Sequence, residues 1–258
     1  MEPATDVVGR AAALLRVIAG SEPTGRTTTQ IATAAGLPRP TAHRLLSTLS
    51  AEGLVDRSAD GLWLLGPELF LLGLGAAPRY DTRNLARPIL RALATSTGES
   101  AFFSVRRGDE TVCLLHEEGT FPLRSHVLHE GIRFPLGVAS AGIAILAFMP
   151  EPERRHYLET AELTTAWGDR HARPHVERRL EATLRDGYAI NPGLIVEGSW
   201  GIAVPVLDER ERPLGALSLT GIEARLRRDR HAVLGAHLLT AARDLSRRMQ
   251  RLAAPVQR

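Results

Sequence analysis

At 258 residues, 44% of them apolar, the chain is long enough to bury real cores and has room for one large or two modest domains. Its single cysteine, Cys113, excludes an intrachain disulfide. Its formal charge of +3 points to no partner class, and all 32 basic residues are arginine. Apolar runs such as VASAGIAILAFM stop short of a membrane span, and acids stand where a signal peptide needs a basic region, so a soluble cytoplasmic protein with no membrane partner is predicted.

Taken in order, Val8, Ala11, Leu15 and Ile18 recur at helical spacing before Gly20 and predict a supporting helix. After a loop containing Pro23 and Gly25, Thr27 and Gln30 form a capping box that opens a helix with Ile31, Ala32 and Ala35 on one face, ending at Gly36. Gly36-Leu37-Pro38 then makes a short turn. In the helix that follows, Ala42, Leu45, Leu46 and Leu49 form the buried stripe. Arg39, Thr41, His43, Arg44, Ser47 and Thr48 face outward, and no acid interrupts them before Glu52. Each of these side chains can donate a hydrogen bond to phosphate or a base edge, and Arg44 suits guanine O6 and N7. Asp60-Gly61, between LVDRS and LWLL, signals a hairpin.

Together these elements predict a winged helix-turn-helix with one helix in the major groove of DNA. The DNA-contacting set is Thr29, Arg39, Pro40, Thr41, His43, Arg44 and Ser47. The competing reading is an ordinary helical hairpin with a solvated polar face. Through Ala77 the chain carries six arginines against seven acids, so binding would rest on the local cluster at Arg39 and Arg44, doubled by dimerisation.

Pro67 to Leu74, PELFLLGL, reads as a helix apolar on nearly every side. Leu69, Phe70 and Leu72 then either meet a partner chain or pack in a core. The predicted division is a DNA-binding domain over 1–66, a linker helix over 67–79 and a second domain over 80–258. That second domain opens with a helix over Asn84 to Thr97, carrying Leu85, Ile89, Leu90 and Leu93 and ending at Gly98. Strands are predicted at SAFFSV, TVCLL and PLRSHV. Helices follow at about Ser140 to Phe148, Glu153 to Thr160 and Val176 to Asp186. Strands YAIN, SWGIAVPVL and PLGALSL come next, the last two joined by the turn DERE. A closing helix buries Leu234, Leu238, Ala241, Leu245 and Met249. Grouped strands and helices argue an α+β domain with one antiparallel sheet. Cys113, inside the alternating TVCLL, reads as a small core residue.

Chemistry is sparse. His171 and His175 have helical ligand spacing, but Pro174 lies between them and no third ligand accompanies them, so they are read as surface histidines. Ser140 in GVASAG misses the G-x-S-x-G elbow and is read as an N-cap. No catalytic residue, metal or cofactor is assigned. Ser140, Asn191, Ser199, Ser218 and Thr220 are short polar residues set into apolar surroundings, as in a small-molecule pocket. Each also fits a turn or cap, but period two puts Ser218 and Thr220 on one strand face.

The segment GLPRPTAHRLLSTLSAEGLV followed by Gly66-Pro67 resembles the IclR family of bacterial transcriptional regulators. The resemblance continues through RPILRALATSTGESAFFSV, FPLGVASAGIAILAFMP, GYAINPGLIVEGSWGIAVPV and GALSLTG. It implies a linker helix that joins monomers, a GAF-like C-terminal domain and an effector pocket. The implied pocket uses Val138, Ala139 and Ser140 before the central helix, an acidic position aligned with Asn191, a cysteine aligned with Gly201, and hydroxyl positions aligned with Ser218 and Thr220. A bound effector is expected to be flanked by Phe134 or Trp200.

Asparagine for the acid and glycine for the cysteine imply a less acidic, locally roomier pocket, suited to an aromatic or other organic acid. The resemblance also implies double-stranded DNA with a palindromic operator as partner, and a homodimer or dimer of dimers. The family's wing carries basic residues where Leu62, Trp63 and Leu64 stand here, so this wing is read as packing. The alternatives are a hydrolase-like enzyme with an accessory DNA-binding module, or a GAF-like interaction module without ligand.

Overall fold

The computed structural model describes residues 6–80, 82–123 and 127–253, and the chain divides into two compact units, 1–80 and 81–258. In the first, helices α1 (Val7–Ala19), α2 (Thr28–Ala34) and α3 (Arg39–Ala51) precede a hairpin of β1 (Val55–Arg57) and β2 (Trp63–Leu65), and α4 (Pro67–Tyr80) follows. The capping box at Thr27 is formed: the Thr27 hydroxyl accepts from the Gln30 N–H and the Gln30 side chain accepts from the Thr27 N–H. Leu14, Ile18, Ile31, Ala32, Ala42, Leu46, Leu49, Val55 and Trp63 make the core.

Two sequence expectations need correction here. Val8 is 81% exposed and Leu14 takes its place inside, because the buried stripe of α1 runs through Ala11, Leu14, Leu15 and Ile18. The helix that opens at Pro67 continues past the apolar run to Tyr80, one residue beyond the predicted linker; Phe70, Leu71, Leu72 and Leu74 are each more than half exposed, so the alternative that Phe70 and Leu72 pack in a core of this chain does not hold.

The wing turn is closed by the Gly61 N–H donating to the Ser58 carbonyl and the Ser58 N–H donating to the Leu62 carbonyl, with Gly61 at φ 77°. At the exit of β2, Gly66 passes so close to Gly53 that a Cβ would lie 2.1 Å from its carbonyl oxygen, which demands glycine.

The second unit is α+β. After α5 (Thr82–Thr97), six strands form one antiparallel sheet in the order β5-β4-β3-β8-β7-β6. They are β3 (Ser100–Arg107), β4 (Glu110–Glu117), β5 (Arg133–Pro135), β6 (Ala189–Pro192), β7 (Ser199–Leu207) and β8 (Pro213–Ile222). Between β5 and β6 run α6 (Ser140–Ala147), α7 (Glu151–Thr160), α8 (Thr164–Trp167) and α9 (Arg173–Asp186); α10 (His231–Ala253) closes the unit.

Alternation sorts the sheet into two faces. Ala101, Phe103, Leu217, Leu219, Ile202 and Val204 pack with α5 and α10. Ala189, Ala203 and Ala216 lie on the other face with α6, every residue of which is buried. Small residues on this face let α6 approach the sheet closely.

The strand predicted at PLRSHV is not formed at Pro122, Leu123 or Val127, which are bends, and Arg124 to His126 lie outside the described residues. The strand beside β4 is instead β5, too short for alternation to announce it. No described helix is long and apolar enough to cross a membrane.

Candidate functional site

Two sites follow from this framework, one in each unit. In the first, α3 buries Ala42, Leu46 and Leu49 and leaves Arg39, Pro40, His43, Arg44 and Ser47 exposed, with Thr41 half-buried and Thr29 exposed on α2. Thr48 is spent locally, its hydroxyl donating to the Arg44 carbonyl at 3.0 Å. Pro38 caps α3 without a side-chain hydrogen bond, so its first turn carries N–H groups without helical partners.

The wing is built by packing: Trp63 is buried, and its indole N–H donates to the Thr28 hydroxyl at 2.9 Å. Arg57, exposed on β1, has its guanidinium 5.6 Å from the Trp63 ring centre. Reading the wing as Leu62, Trp63 and Leu64 alone overlooked this arginine, which precedes the turn.

In the second unit, strand register lines up one row of residues on the face toward α6. Ser100 on β3 lies opposite Thr220 on β8, Thr220 opposite Gly201 on β7, and Gly201 opposite Asn191 on β6. The start of α6 lies over this row, and the space between them is a cleft of about 20 Å³ lined by Ala139, Ser140, Asn191, Trp200, Gly201 and Thr220. Val127, Leu128, Ile195 and Ser199 complete its walls. A second lobe of about 10 Å³ shares Leu128, Ala139 and Ser140 and reaches Ser104, Thr111, Cys113, Ile132 and Phe134. No charged side chain lines either lobe among the described residues.

The predicted pocket residues are therefore not all equivalent. Phe134 belongs to the second lobe. Val138 is fully buried and takes part through its carbonyl, which accepts from Asn191 Nδ2 at 2.7 Å. Ser218 lies opposite Phe102 and Ala203, one row further along the sheet, and does not line the cleft. Both Ser218 Oγ and Thr220 Oγ1 are buried without a hydrogen-bond partner.

Three further expectations change. Ser140 is not the N-cap of α6: Ala139 holds that position in extended conformation, Ser140 is the first helical residue, and no side chain caps the helix. Gly201 does not leave the pocket roomier, because Ser140 fills the space; a Cβ at 201 would lie 2.8 Å from Ser140 Oγ. His171 is not a surface histidine. It is buried, with Nδ1 donating to the Trp167 carbonyl at 2.8 Å, and burial, aided by the nearby Arg179 guanidinium, pushes its imidazole below the usual histidine range against that carbonyl's opposing pull.

His175, by contrast, is exposed beside Arg178. Among the described residues no group of three or more His, Cys, Asp or Glu is placed to hold a metal ion. Cys113 is buried, and that burial pushes its thiol up to about 12.

Sequence reasoning touched the second lobe through Phe134, Ala139 and Ser140 but missed Ser104, Thr111, Cys113 and Ile132 there, and the Val127, Leu128 and Ile195 walls. The signal for Ser104 and Thr111 was available, since both are polar residues on apolar alternating strands, as Ser218 and Thr220 are.

Comparison with known proteins matches both units. The model described as bacterial transcriptional regulator IclR C-terminal covers residues 75–247, and the IclR helix-turn-helix domain covers residues 7–59. The glycerol operon regulatory protein of Streptomyces coelicolor is 32% identical over 250 residues, 94% of each chain. The transcriptional repressor IclR of Escherichia coli is 28% identical over 221 residues, 84% of this chain and 81% of that one. A solved IclR homologue from Microbacterium hydrocarbonoxydans, complexed with 4-hydroxybenzoate, has the same fold, with a TM-score of 0.76 at 24% identity, covering 96% of this chain and 100% of that one. The chain belongs to the IclR family of bacterial transcriptional regulators, and is a DNA-binding regulator with a C-terminal effector-binding domain rather than an enzyme.

Proposed function

We propose that α3 enters the major groove of a palindromic operator and that an organic acid bound beneath α6 controls the affinity. The observation that carries the DNA reading is the opposition on α3 of a buried Ala42, Leu46 and Leu49 stripe to exposed Arg39, His43, Arg44 and Ser47. Arg44 reads a base edge, while Arg39, Thr41 and Ser47, with Thr29 from α2, hold phosphates and fix the register. Pro40 packs against the duplex backbone and His43 lies beside it. The exposed apolar residues Phe70 and Leu72 of α4, with half-buried Leu69, join two copies and set two recognition helices about 34 Å or a multiple apart. Such a regulator works in the cytoplasm.

Neutral donors and an uncapped α6 N-terminus favour a carboxylate in the cleft, with Thr220 Oγ1 as a buried donor waiting for a partner. A cavity of about 20 Å³ holds roughly one water, so an organic acid enters only as the walls part. Mobility shifts of the promoter beside the gene, across a salt series, test the DNA reading. Arg39→Ala should flatten the salt slope by about 0.9 for each phosphate the side chain no longer neutralises. Duplex binding unaffected by both Arg39→Ala and Arg44→Ala would overturn it. Titration of the bound complex with 4-hydroxybenzoate and smaller carboxylates tests the effector, and Thr220→Val should weaken any response.

A further inference from the structure

Asn191 is a cleft residue whose side chain is committed on both ends. Its Nδ2 donates to the Val138 carbonyl at 2.7 Å, and its Oδ1 accepts from the Leu194 N–H at 2.9 Å. A carbonyl only accepts and an N–H only donates, so these partners fix which way the amide points. The two partners belong to opposite walls. Val138 leads into Ala139 and Ser140 at the start of α6, and Leu194 leads into Ile195 in the loop after β6; all three of those neighbours line the cleft.

The carbonyls before α6 are tethered in series: the Tyr157 hydroxyl donates to Leu136, Arg179 Nη2 reaches Gly137 at 3.5 Å, and Asn191 holds Val138. Of these three, Asn191 is the one that also ties the opposite wall.

We propose that Asn191 is a positioning residue, a latch that holds the two walls of the cleft at their observed separation, and that in this chain it does so as an amide, which donates and accepts at once. An ionised carboxylate accepts from Leu194 equally well but sets its second oxygen against the Val138 carbonyl, two acceptors facing each other in a buried site. The inference rests on the cleft being the effector site, and it changes the role of Asn191 from a group that touches the ligand to one that sets the cost of opening.

Hydrogen exchange on the full chain, read by mass spectrometry and corrected for intrinsic rates, tests it. In Asn191→Ala, exchange at neutral pH should rise about tenfold in peptides spanning 136–143 and 192–198, while peptides from α5 and α10 stay as in the wild type. Asn191→Asp should match the alanine variant at neutral pH and regain protection as acid protonates the carboxyl, because the neutral acid again has an O–H for Val138; the alanine variant should not.

The wild type measured at each pH accounts for the titratable and charged side chains near this turn among the described residues: His171, Arg179 and Tyr157, with Arg170 acting on His171, Asp109 and Glu110 acting on Tyr157, and Cys113 in the second lobe. Wild-type protection in the alanine variant, or an aspartate variant that stays open at every pH, overturns the latch. The alanine variant adds no charge and reports even if the aspartate variant fails to fold. Since no effector enters the experiment, a failed carboxylate titration and a failed latch are separate results.

Discussion

Ser140 Oγ stands in front of Gly201, 2.8 Å from where a Cβ at that position would lie, and Ser140 Cβ is 3.5 Å from the same point. The hydroxyl on α6 and the missing side chain on β7 are therefore complementary. Gly201→Ala should destabilise the second unit by about 1–3 kcal/mol through overpacking, and Ser140→Ala in the same chain should recover much of that. Urea unfolding of the two single variants and the double variant measures the coupling. Simple additivity would mean that the two positions do not meet.

Trp63 ties the wing to α2 through the Thr28 hydroxyl. Trp63→Ala should cost the first unit about 3–5 kcal/mol, and Thr28→Val, which leaves the indole N–H without its acceptor, about 1–3 kcal/mol. Thermal unfolding without DNA is the measurement. A wing that served only to touch the duplex would show neither loss.

His171 gives the second unit a pH-dependent stability. Burial is the largest cause holding its imidazole below the unfolded value of 6.5, so below that value the unfolded chain takes up a proton that the folded chain refuses. Its contribution is fully present above about pH 6.5 and is lost as the pH falls toward the folded value. The difference in unfolding free energy between wild type and His171→Gln should be flat above about pH 7 and shrink in acid. A difference independent of pH would show that the ring does not titrate differently on folding.

Cys113, buried on β4 with its thiol pushed up to about 12 from 9.0, should resist alkylation. At pH 8, iodoacetamide should label the native chain more than about 100-fold more slowly than the chain unfolded in guanidinium, since only the exposed thiolate reacts. Mass spectrometry of quenched time points gives both rates, and equal rates would place the thiol at the surface.

What the sequence by itself determined is local. The Thr27 and Gln30 box, the buried stripe of α3 and the glycine stop after α5 depend on residues within a turn or two of each other, where spacing alone selects the partner. Because Ser218 and Thr220 differ by one strand period, their common face was legible as well. The resemblance to the IclR family also ran through these local segments.

Tertiary structure alone decided which residues meet across the sheet. Thr220 faces Ser100 and Gly201 only because β3 and β7 flank β8, and no spacing within β8 contains that order. The same holds for Ser140 over Gly201, for the burial of His171 beside Trp167 and for the doubly bonded amide of Asn191. A hydrogen-bond partner more than fifty residues away, as Val138 is from Asn191, is chosen by the chain's path. The exposed arginines of α3, in contrast, are placed by the helix they stand on.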